Sequence, residues 1–124
     1  MISVKNNKDQ PNSGYPDVIT RLPEAEVPVA GGRAWILQSE KRQLVFFEFA
    51  ANLELPEHSH NYSQWGMVIE GKMELTIDGK MQVYQKGDEY LVPSGAPHCA
   101  RFLEKSRVMD LFSEKCRYKP KMAH

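Results

Sequence analysis

The chain has 124 residues, the length of one domain by the usual allotment of roughly 100–200 residues each, and its 16 Lys plus Arg balance 16 Asp plus Glu. A formal net charge of zero argues against nucleic acid or an anionic membrane as partner, since both call for a basic excess. No apolar run approaches the ~18 residues of a membrane span, and the two cysteines, Cys99 and Cys116, are too few for a disulfide scaffold.

The opening MISVKNNKDQPNSGYPD is polar and lacks the apolar stretch of a signal peptide. Residues 1–22 therefore read as an extended polar arm, and the protein as cytoplasmic, with reduced thiols. Segment 24–32 holds Pro28 and Gly31-Gly32 and suits a short edge strand, where proline is tolerated. From Arg33 onward the apolar period is two rather than 3.6. Residues 34–37 and the aromatic-rich 44–49 are strand candidates, followed by 64–69 and the Glu70-Gly71 turn. Met73, Leu75 and Ile77 alternate with Glu74 and Thr76, and Asp78-Gly79 fits a type I′ hairpin turn. Met81 and Val83 continue the pattern, as do 89–92, 98–102 and 107–112. No stretch suits a long helix. Many short strands separated by Gly, Pro and Asp turns predict an all-β antiparallel sandwich or barrel. The barrel domain is expected over 23–115, with a loose basic tail over 116–124.

Three histidines stand out. His58 and His60 are two apart, so on an extended strand both point to one face; Gln64 has matching parity, and His98 follows Pro93-Ser94-Gly95-Ala96-Pro97. Neutral imidazole suits Ni, Zn and Fe. Three imidazoles and one amide oxygen leave coordination positions open, as catalytic centres do. Gln64 either ligates directly or hydrogen-bonds a bound water. A His-x-His pair alone is a weak signal; its surroundings strengthen it.

Leu55-Pro56-Glu57-His58-Ser59-His60 with Gln64 and Gly71 resembles the first motif of the cupin superfamily. Gly87-Asp88, Val92-Pro93, Gly95 and His98 resemble the second. The resemblance implies a double-stranded β-helix (jelly-roll) barrel holding a divalent transition metal (Ni, Zn, Fe or Mn) on His58, His60, Gln64 and His98. Glutamate is usual where Gln64 stands. A neutral amide leaves the metal charge uncompensated, which favours an anionic ligand.

Glutamine at this position, together with Gln64-Trp65-Gly66, 70–76 and Asp110-Leu111-Phe112-Ser113, is similar to the KdgF-type pectin-degradation cupins. Those enzymes open the ring of 4,5-unsaturated uronic acid monosaccharides. The resemblance implies catalytic roles for Asp110 and Phe112, and for an arginine whose place falls at Cys116, with Arg117 one residue later. Alternation leaves two arrangements of the last strand open: Val108, Asp110 and Phe112 face the lumen, or Met109 and Leu111 do. Arg101 is a second arginine candidate, of opposite parity to His98. Tyr62 and Trp65 are stacking candidates or packing residues, Cys99 reads as a small buried thiol, and His124 has no supporting partner. The expected partner is a small anionic sugar acid. The alternatives are an iron dioxygenase and a non-catalytic metabolite-binding cupin. A homodimer is expected, joined through a face carrying Phe47 and Phe49 or Met109 and Leu111.

Overall fold

The computed structural model describes residues 13–122; residues 1–12 of the expected arm and His124 lie outside them. Nine strands follow one turn of helix, α1 (Asp17–Thr20): β1 (Gly32–Gln38), β2 (Gln43–Phe49), β3 (Glu54–His58), β4 (Gln64–Glu70), β5 (Lys72–Ile77), β6 (Lys80–Gln85), β7 (Glu89–Val92), β8 (His98–Phe102) and β9 (Ser106–Phe112). They form two sheets, β1-β2-β9-β4-β7 and β3-β8-β5-β6, and every pairing between strands is antiparallel. This is the all-β architecture that the period of two predicts. No helix among the described residues is long and apolar enough to cross a membrane.

Sequence alternation fixes which side chains enter the space between the sheets. On β9, Ser106, Val108, Asp110 and Phe112 are buried and the residues between them half-buried. On β4 the buried set is Gln64, Gly66 and Val68. Phe47, Phe49, Phe102 and Val108 belong to one continuous core, in which Phe49 stacks on Phe102 at 4.3 Å between ring centroids. Burial of each such ring contributes roughly 1.5–3 kcal/mol. The predicted turn at Asp78-Gly79 has positive φ at both positions, 50° and 78°, and links Ile77 to its partner Lys80. At the edge, β6 departs from the expected half-burial: Met81 and Val83 are exposed at 54% and 48%, because β6 pairs only with β5.

Both chain ends differ from the sequence expectation. Residues 13–22 are not a free arm. Tyr15 is 2% exposed, its hydroxyl donates to the carbonyls of Phe47 and Val108, and its ring packs edge-on against Trp35 and Phe46. Residues 116–122 are not a loose tail. Gln43 donates to the Tyr118 carbonyl and accepts from the Tyr118 N–H, each at 2.9 Å. The Lys121 ammonium pairs with Glu24, and Pro120 bridges Ala25. That bridge and one between Glu24 and Trp35 are all that the expected edge strand over 24–32 becomes, apart from Gly32, which opens β1. The physical reason is shared by both ends: polar residues hide the one aromatic, Tyr15 or Tyr118, that docks each segment.

Candidate metal centre

His58 ends β3, and a bulge places it. Leu55 pairs with Ala100 and His58 with His98, with a register shift between the two. Leu55 and His58 are three apart, so on a regular strand they would face opposite ways. The unpaired extra residue corrects the parity, and both line the cavity. Pro56 is tolerated here because β3 is an edge strand. His60 corrects the strand-parity expectation: it lies beyond the end of β3. Its carbonyl accepts from the Gly95 N–H at 2.7 Å, tying its loop to the loop before His98. Its ring stacks on Tyr62, with centroids 4.2 Å apart and planes 5° from parallel.

The three imidazoles converge. Their candidate ligand atoms all lie within 4.8 Å of one another. Each Nδ1 faces a backbone carbonyl: His58 to Pro56 at 3.0 Å, His60 to Tyr62 at 2.8 Å and His98 to Ala96 at 2.9 Å. A carbonyl only accepts, so each Nδ1 carries the proton and each Nε2 presents a lone pair. Burial holds His60 and His98 below the ordinary imidazole range, which keeps them neutral. The Nε2 of His98 is buried with no hydrogen-bond partner among the described residues. A buried lone pair without a donor is costly, and a cation satisfies it. The donor set therefore fits a divalent transition metal.

Gln64 is 9% exposed, and its Oε1 lies 3.1 Å from His60 Nε2. Its amide also acts on Asp110, its diagonal neighbour across β4 and β9, and draws that carboxyl down. Asp110 is 5% exposed and lines the cavity with Val108 and Phe112; of the two arrangements open to the last strand, the structure has this one. Burial pushes the Asp110 carboxyl up to about 6, against the hydrogen bonds from Tyr90 and Gln64 and the positive field of Arg117. The Tyr90 hydroxyl donates to Asp110 Oδ1 at 2.7 Å.

Arg117 also lines the cavity. Its guanidinium carbon lies 5.7 Å from the Phe112 ring centre and 5.1 Å from that of Tyr118, and its Nε is buried with no partner among the described residues. Arg101 is exposed and opposes Glu54 and Glu74 on the neighbouring strands. Trp65 donates to Glu89 at an exposed position. Cys99 is half-buried and free, and it is outside the histidine cluster.

The resulting cavity has a volume of about 260 Å³. His58, His98, Gln64, Asp110 and Arg117 are polar groups in a wall that also carries Phe47, Phe49, Met73, Leu75 and Phe102. The sequence reading missed Tyr90, Tyr118 and Gly66. Only Gly66 left a signal, since glycine inside a strand marks a close approach.

A model of the cupin domain matches residues 45–112, and the chain belongs to that family. Two solved structures show the same architecture. An RmlC-like cupin from Shewanella frigidimarina is 26% identical with a TM-score of 0.71, over 78% of this chain and 88% of its own. KdgF from a Halomonas species is 26% identical with a TM-score of 0.70, over 75% of this chain and 87% of its own. A 47-residue stretch is 40% identical to quercetin 2,3-dioxygenase of Bacillus subtilis, covering 37% of this chain and 14% of that enzyme.

Proposed function

We propose that the protein is a metal-dependent isomerase that opens the ring of 4,5-unsaturated uronic acid monosaccharides. One observation carries this reading: the Asp110 carboxyl, the Gln64 amide and the Arg117 guanidinium line one cavity with His58 and His98, two of the three clustered histidines. The likeness to Halomonas KdgF supports the substrate class. His58, His60, His98 and Gln64 would hold the metal, which supplies Lewis-acid polarisation of a substrate oxygen. Arg117 pairs with the substrate carboxylate through its planar donor fork, and Phe112 packs on the ring. Asp110 accepts the proton of the anomeric hydroxyl. The bond from C1 to the ring oxygen breaks, leaving an aldehyde at C1 and an enolate at C5. Asp110 returns the proton to C4, and the enolate becomes a ketone. The step is a net isomerisation and needs no co-reactant. A carboxyl poised near 6 suits both transfers at neutral pH. A cytoplasmic, homodimeric enzyme is part of this reading.

The test is to add unsaturated galacturonate to metal-loaded protein and follow loss of the double-bond absorbance. Faster decay than in protein-free buffer supports the reading, and decay at the buffer rate ends it. The apolar wall of Phe47, Phe49 and Phe102 favours a second reading, a dioxygenase acting on a flat aromatic substrate. Oxygen uptake that tracks iron loading selects that one. Tight sugar binding without turnover points to a binding protein.

A further inference from the structure

A glutamine ligand has a right and a wrong end. Its oxygen can bind a cation, while its NH₂ group repels one. The His60 ring fixes the local problem. Its Nδ1 donates to the Tyr62 carbonyl, so its Nε2 is a bare acceptor facing Gln64 Oε1 at 3.1 Å. Two lone pairs face each other, and without a cation the amide gains by flipping to donate an N–H to His60. The far end of the amide opposes that flip. There the amide has Asp110 as its diagonal neighbour across β4 and β9, both lining the cavity, and flipping would set the amide oxygen toward the carboxylate.

The carboxylate is itself held. Tyr90 donates to its Oδ1, and both side chains occupy the space above Gly66. Gly66 pairs with Asp110 across β4 and β9 and with Tyr90 across β4 and β7. A Cβ on Gly66 would lie 2.1 Å from Asp110 Oδ1 and 2.2 Å from Tyr90 Cζ. The missing side chain is what lets the two meet.

We infer that Gly66, Tyr90 and Asp110 form an orientation lock that holds the Gln64 carbonyl oxygen, and not its NH₂ group, toward a metal on the three histidines. The inference rests on the metal centre proposed above and assigns Tyr90 and Gly66 a positioning role toward it.

Cobalt(II) titration of metal-free protein, read by its visible absorption bands and by competition with a chelator, tests the lock without any substrate. Asp110→Asn offers Gln64 an amide that tolerates either orientation, and it weakens cobalt affinity about ten- to hundredfold, the usual cost of losing a group that orients a ligand. Tyr90→Phe keeps the ring's packing and gives a smaller loss in the same direction, with a shifted cobalt spectrum. The decisive arm repeats Asp110→Asn in protein that also carries Gln64→Glu, whose two side-chain oxygens make both orientations equivalent. There Asp110→Asn leaves cobalt affinity unchanged or tighter. Equal weakening in both backgrounds overturns the lock, because Asp110 would then act only as a nearby negative charge. Unaltered affinity and spectrum in Asp110→Asn and Tyr90→Phe overturn it too. Wild-type protein that takes up no cobalt overturns the metal centre, and the lock with it.

Discussion

Asp110 carries a carboxyl that the fold has made unusually ready to hold a proton, and this gives it a signature in stability as well as in rate. On the proposed activity, Asp110→Asn assayed with saturating metal should lower kcat on unsaturated uronate about 10²–10⁴-fold, the range for loss of a general acid–base group. The stability effect has a definite sign. Burial raises the folded carboxyl from 3.8 to about 6, so the folded state binds the extra proton in that interval. Stability from this group is fully present below about pH 3.8 and is lost as pH rises through about 6. Lowered His60 and His98 act in the opposite direction, but equally in both proteins. The stability difference between metal-free wild type and Asp110→Asn, from urea melts, therefore moves in the variant's favour by about 2–3 kcal/mol between about pH 4 and pH 7. A constant difference would show that Asp110 titrates normally. Gly66→Ala is a steric test at the same place. The added methyl lands on Asp110 and Tyr90, and the melts should show a loss of about 3 kcal/mol or more. A loss under about 0.5 kcal/mol, the scale of an unconstrained surface change, would mean that the space above Gly66 is not filled as described.

Among the elements, the segment after β9 matters most for what enters the cavity. Residues 116–122 bring Arg117 and Tyr118 to the cavity wall, and the buried Gln43 amide grips the Tyr118 backbone from both sides. Gln43→Ala removes three hydrogen bonds, two to the Tyr118 backbone and one to Gln38, and should cost about 1–3 kcal/mol. It should also raise KM for the anionic substrate more than it lowers kcat, because Arg117 is the group released. Amide exchange at Tyr118 in the variant should quicken. Unchanged exchange would show that the segment is held by its other contacts, among them the Glu24 pairings. The element-level errors of the sequence reading share a cause. Strand periodicity found most strands, but it could not report the bulge in β3 that turns His58 inward, or that β3 ends before His60.

For the whole molecule, two consequences follow from the way the sheets enclose the site. A metal bound on groups drawn from β3, β4, β8 and the loop carrying His60 binds only the folded chain. At an ion concentration of about 100 Kd it should stabilise by about 2.7 kcal/mol, raising Tm by about 8–15 °C over chelator-treated protein. That gain should shrink as pH falls, because protons compete with the ion for the ligand nitrogens. An ion-independent Tm at neutral pH would remove the metal from the account.

The second consequence concerns assembly. Phe47 and Phe49 are 3% and 2% exposed, so that face is unavailable to a partner. On the other face of the same sheet, Leu37, Leu44, Leu111, Trp65 and Leu91 oppose one another in turn across all five strands, with Leu37 and Leu91 exposed at 50% and 61%. The expected homodimer would use this row. Light scattering should give twice the chain mass of 14.2 kDa, and Leu91→Glu with Leu111→Glu should halve it. A monomeric wild type rejects the dimer.

The sequence by itself determined the all-β class, most of the strands, the Asp78-Gly79 hairpin and the histidine trio with Gln64. Each of these is written in local order: a period of two, a turn dipeptide, a spacing of ligands. Only the tertiary structure decided that Asp110 faces the lumen, since β9 carries an apolar set on both faces and burial alone separates them. It alone brought Tyr90 to Asp110 across Gly66, and Arg117 to the cavity, because those meetings depend on strand register and on contacts between distant parts of the chain. Zero net charge argues against a polyanion partner at the outset. The fold adds the local counterpart: a half-buried arginine lining the cavity beside a cluster of three imidazoles, chemistry suited to a single cation and a small anion.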